Sequence, residues 1–92
     1  MGIQDIGDLE IHEFMVKELK LKGARLLIYA VIRQCTIKYG KFSGSLKDLS
    51  EFLGVSKMYC CQILKKFVDS GIVTKSFRNN SAMKIEYKAN YL

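Results

Sequence analysis

Hydrophobic positions recur at changing intervals along this chain, and each change marks a new element. Residues 9–19 (LEIHEFMVKEL) hold Ile11, Phe14, Met15 and Leu19 at near-helical spacing, which predicts an extended lead-in followed by a short helix. Residues 22–39 predict a long helix closed by Gly40, since glycine is favoured just past a helix end. The first half of that helix, LLIYAVI, is apolar nearly all round. A surface helix shows one apolar stripe, so this helix must be covered on more than one side. The cover is either the N-terminal segment or a second copy of the chain. KFSGS follows as a short extended piece anchored by Phe42.

Two further helices are expected next. Ser45 stands as N-cap with Asp48 three residues on, in the manner of a capping box. The helix it opens runs through Leu53, with Leu46, Leu49, Phe52 and Leu53 facing inward. Gly54-Val55 makes a tight turn, and Ser56 caps a helix that runs to about Ser70 and ends at Gly71. Its inward positions are Cys60, Ile63, Leu64, Phe67 and Val68, spaced at three and four. Two helices joined by a glycine-containing turn make a helix-turn-helix.

After Gly71 the period falls to two. Val73, Lys75 and Phe77 alternate with Thr74, Ser76 and Arg78, and Met83, Ile85 and Tyr87 alternate with Lys84, Glu86 and Lys88. Asn79-Asn80-Ser81 lies between the two runs, and asparagine tolerates the positive φ of a tight turn. The expected fold is therefore α+β, mainly α: a winged helix-turn-helix with a three-helix core and a C-terminal β-hairpin wing. It occupies residues 21–92, behind a lead-in at residues 1–20 that packs on the core. An end at Tyr91-Leu92, just past the last strand, suits a domain of a longer protein as well as a complete small regulator.

Composition narrows the setting. At 49% hydrophobic and 26% charged, the chain has an ordinary globular mix. No apolar run approaches the ~20 residues that span a bilayer. MGIQDIGDLE has neither the basic flank nor the apolar run of a secretory signal, so a cytoplasmic location is expected. The three cysteines, Cys35, Cys60 and Cys61, form no C-x-x-C pair, and His12 is the single histidine. They read as reduced, small apolar side chains, with no metal and no disulfide framework. No Gly-rich phosphate loop or Ser/His/Asp set stands out, so neither an enzyme nor a cofactor nor a small-molecule substrate is expected. The five tyrosines are spread along the chain, against a single-strand stacking platform.

Charge adds a partner. Residues 1–18 carry Asp5, Asp8, Glu10, Glu13 and Glu18 against Lys17, a net −4, while residues 19–92 carry a net +10. A body that basic concentrates polyanions at its surface, with nucleic acid first among them.

The stretch from Leu19 to Phe77 resembles the winged-helix domains of phage and plasmid replication proteins of low-GC Gram-positive bacteria, of the replisome-organiser and initiator type. L-K-G ahead of L-L-I-Y-A, and F-S-G-S-L leading into the next helix, carry the likeness. The pattern V-S-K…L-K-K-F-V-D-S-G-I is shared more widely with winged transcriptional regulators. The chain departs from the pattern at Tyr59-Cys60-Cys61, with Cys60 standing where a buried Val is usual.

In a helix-turn-helix the second helix enters the major groove by its first turns. With Cys60, Leu64 and Phe67 inward, the outer face carries Lys57, Met58, Cys61, Gln62 and Lys65. Gln62 suits bidentate pairing with adenine, and Lys57 suits guanine or a phosphate. Ser56 and the first N–H groups favour a phosphate at the positive helix end. Lys65 and Lys66 suit phosphates, which fix register without specifying sequence. Met58 and Tyr59 suit a thymine methyl or a sugar edge. In the wing, Arg78, Asn79 and Asn80 are expected to reach a minor groove or flanking backbone. Lys47, Lys75 and Lys84 add phosphate contacts. The expected partner is double-stranded DNA, in transcription or replication, with a homodimer through the N-terminal segment and first long helix as a further expectation. A protein-docking winged helix is the alternative.

Overall fold

The computed structural model describes residues 9–43, 45–77 and 85–92. They form four helices, α1 (Glu13–Lys17), α2 (Ala24–Tyr39), α3 (Leu46–Leu53) and α4 (Lys57–Ser70), followed by antiparallel strands β1 (Val73–Phe77) and β2 (Ile85–Ala89). The class is α+β, mainly α, in the expected element order.

Local chemistry sets the helix ends. Ser45 Oγ accepts from Asp48 N at 3.1 Å, and Asp48 Oδ2 accepts from Ser45 N at 3.4 Å, closing the capping box on α3. Ser56 Oγ accepts from Tyr59 N at 3.1 Å to open α4. Between them Gly54 sits at φ 73°, a left-handed conformation that lets the chain leave α3 within one residue. The expected start of α2 at residue 22 moves to Ala24, because Gly23 at φ 61° cannot continue a right-handed helix.

α2 is the centre of the core. Ile28, Tyr29, Ala30, Val31, Ile32 and Arg33 are buried in succession, as a helix packed on every side requires. The cover comes from within the chain. Met15 of α1 is fully buried, Leu21 is nearly so, and Phe14 and Leu19 pack against the same cluster. α3, α4 and β2 close the other sides, with Tyr29 meeting Phe67 edge-on at 5.8 Å between ring centroids. The apolar girth of α2 therefore supplies no argument for a second copy.

One expected inward position is not core. Phe52 is 38% exposed. On an eight-residue helix the inward stripe goes to Leu46, Leu49 and Leu53, and Phe52 lies about a quarter-turn off it; Ser50 is buried in its place, donating to the Lys47 carbonyl. Val68 is half-buried and packs against the core cluster, as Leu46 and Leu53 do.

The strands do not alternate as expected. In β1 only Val73 is buried, and Phe77 is exposed; in β2 Glu86, Tyr87 and Ala89 are all buried. The cause is position. β2 is flanked on both edges, by β1 and by Phe42, which exchanges both backbone hydrogen bonds with Tyr87 at 2.7 and 2.9 Å. Glu86 is neutralised by Lys41, 2.8 Å away. β1 is an edge strand whose Val73–Ala89 base sits in the core while Phe77, opposite Ile85, stands away from it.

Polar staples fix this sheet to the helices. Thr36 Oγ1 donates to Ile32 O at 2.7 Å and accepts from Ala89 N at 3.0 Å. Asn90 ties the end of β2 to the end of α4, with Nδ2 donating to Gly71 O and N donating to Ile72 O, both at 2.9 Å. Tyr29 Oη and Arg33 hold the backbone oxygens of Tyr91 and Leu92.

Candidate nucleic-acid interface

Once Cys60, Ile63, Leu64 and Phe67 are buried, the rest of α4 points outward. Lys57, Met58, Tyr59, Cys61, Gln62, Lys65 and Lys66 are all exposed, Met58 at 72%. They do not form one surface. Lys57, Met58, Cys61, Gln62 and Lys65 line an open groove of about 670 Å³ whose other walls are Ser45, Leu46 and Lys47 of the α3 start and Ile85 and Tyr87 of β2. Six of the expected contact residues meet here: Lys47, Lys57, Met58, Cys61, Gln62 and Lys65. Lys75 borders an adjoining cleft that shares Cys61, Lys65 and Tyr87 with the groove, and its Nζ lies 5.6 Å from the Phe77 ring centroid.

The remaining expected residues fall elsewhere. Tyr59 and Lys66 lie on the opposite flank of α4, beside the start of α2. Ser56 spends its hydroxyl on the helix cap; the Lys57 and Met58 N–H groups are left without an intrahelical acceptor, as at any helix start. Arg78, Asn79, Asn80 and Lys84 lie outside the described residues, as does the expected turn at Asn79-Asn80-Ser81.

The groove is electrostatically one-sided. Among the described residues its lining holds three lysines and no carboxylate, and Asp69 is the acid of the adjoining cleft. Lys47, Lys57, Lys65 and Lys75 make no ion pair with a described residue, whereas Lys17 and Lys41 are paired with Glu13 and Glu86. Unneutralised cations around a concave apolar floor attract an anion that also presents apolar edges. Tyr87 closes the floor. Its burial pushes the hydroxyl pKa above the ordinary value, and the neighbouring Cys61 sulfur acts in the same direction.

Sequence reasoning missed Ile85 and Tyr87 as groove walls, and Lys20, Lys22 and Arg25 as neighbours of α4. The charges were visible; which elements stand beside α4 was not.

Among the described residues, no group of three His, Cys, Asp or Glu side chains could hold a metal ion, and no helix is long and apolar enough to cross a membrane. No family model matches the chain, and neither the curated proteins nor the solved structures contain a significant match.

Proposed function

We propose that this chain is a winged-helix domain that binds double-stranded DNA, with α4 lying in the major groove and β1–β2 forming the base of the wing. The observation that carries the reading is the groove: three lysines without an ion pair to a described residue, Gln62 and Met58 on one concave surface, with no acid among the described residues of its walls. Gln62 is the base-reading residue, because an amide can donate and accept at one adenine edge. Lys47, Lys57, Lys65 and Lys75 hold phosphates. The resemblance in residues 19–77 favours a phage or plasmid replication protein, with a transcriptional regulator as the other setting for the same chemistry.

Fluorescence anisotropy of a labelled random-sequence duplex, titrated at several salt concentrations, tests this. Neutralising five or six phosphates gives a slope of about −5 in log K against log salt, and about a thousandfold weakening between roughly 50 and 200 mM. Absence of binding at low salt overturns the proposal. Ile11, Val16 and Ile37 are exposed outside the groove, and they favour protein docking or self-association as the second reading. Sedimentation of the protein alone, and with the duplex, separates the two.

A further inference from the structure

Cations stand along both flanks of α4, one flank being the groove and the other carrying a single cation of α4 itself, Lys66. On the other, Lys66 shares a shallow cleft with Lys20 and Arg25, while Tyr59 shares a second with Lys22 and the same Arg25. All four cations are exposed, and none is in an ion pair with a described residue. Among the described residues, Glu18 is the one acid lining either cleft. The first turn of α2, which carries Arg25, holds no acidic residue.

Dimensions give this arrangement a meaning. The major groove is about 12 Å wide, and an α-helix with its side chains measures about 10–12 Å across. A helix seated there has one phosphate strand along each flank. Cations on a single flank suit a single strand or an acidic protein face, whereas cations on both suit a duplex.

We infer that Lys22, Arg25 and Lys66, with the Tyr59 hydroxyl, hold the phosphates of the strand opposite the one held by Lys57 and Lys65, so that the duplex is clamped across α4. This rests on the DNA-binding reading above and adds which residues meet the second strand.

The test compares Lys22→Ala/Arg25→Ala with Lys57→Ala/Lys65→Ala and the unchanged protein, using anisotropy on a random-sequence duplex and on one of its single strands across a salt series. Removing two phosphate contacts should reduce the duplex slope by about 1.8, a loss of roughly 60-fold at 0.1 M salt if affinities converge near 1 M. Single-strand affinity should change less than about threefold, because the groove flank is intact. Lys22→Arg/Arg25→Lys should restore the slope, and an unchanged melting temperature shows that the fold is kept. An unchanged slope in the Lys22/Arg25 variant, with a reduced one in the Lys57/Lys65 variant, overturns the clamp and leaves DNA binding standing. Equal losses on duplex and single strand also overturn it. Absence of duplex binding by the unchanged protein overturns the underlying reading itself.

Discussion

Iodoacetamide at pH 8 tests the core and the proposed DNA face with one reagent. The thiolate is the reacting species, so rate follows both thiolate population and access. Cys35 is 3% exposed, and burial pushes its pKa from 9.0 to about 11. Two units leave roughly 100-fold less thiolate at pH 8 than a thiol at the ordinary value has. Cys60 is fully buried, and burial pushes its pKa up as well. Cys61 is exposed on the groove wall. Intact-mass analysis should therefore find one fast adduct on the native chain, at Cys61 by peptide mapping, and three after denaturation. Duplex at about ten times its Kd leaves about a tenth of the protein free, so labelling of Cys61 should slow about tenfold. Fast labelling of Cys35 or Cys60 refutes the burial of these thiols in the packing of α2 and α4. An unchanged Cys61 rate with duplex demonstrably bound refutes the groove as the contact surface.

Further outcomes are expected. Gln62→Ala should flatten sequence preference in a panel of duplexes at a cost of about 1–3 kcal/mol on the best site, while Lys65→Ala weakens all sequences alike and lowers the salt slope by about 0.9; identical behaviour of the two variants contradicts the division of roles. Met15→Ala should cost about 2–5 kcal/mol in urea unfolding, because the side chain is fully buried, whereas Val16→Ala, 47% exposed, should stay within about 0.5 kcal/mol. Equal small effects mean that α1 is not part of the core. Cys35, Cys60 and Tyr29 all have pKa values raised first by burial, so the unfolded chain loses these protons at lower pH than the folded one. Their contribution is whole below about pH 9 and is lost as pH rises; for Cys35, titrating between 9.0 and about 11, the loss is of the order of 2–3 kcal/mol. Stability that is flat from pH 8 to 11 contradicts this.

What the sequence disclosed is what short-range chemistry controls. Ser45 with Asp48, Ser56, and the glycines at 40, 54 and 71 specify helix ends through contacts within four residues, and all of them behave as expected. Phe42 was legible as an anchor because a lone aromatic in a polar stretch has few other uses. The strand burial was not legible, since it depends on β2 having neighbours on both edges. Nor were Thr36, Arg33 and Asn90, whose hydrogen bonds span 53, 59 and 19 residues. A threonine or asparagine looks the same in sequence whether it faces solvent or ties two elements together.

The candidate site shows the same division. Taking Lys57 as origin and about 100° per residue, Cys61, Lys65, Met58 and Gln62 fall within about 140°, and Lys66 and Tyr59 follow at about 180° and 200°. Helix geometry alone thus spreads these residues over about 200° in steps of about 40° or less, and marks no break between two flanks. It does not say what stands beside each one. The structure sets the α3 start and β2 beside the first flank and Lys22, Arg25 and Lys20 beside the second. That second neighbourhood changes the argument about ligand. A basic helix with one walled flank can serve any anion of suitable shape, but cations on both sides of a helix about as wide as the major groove match an anion with two strands.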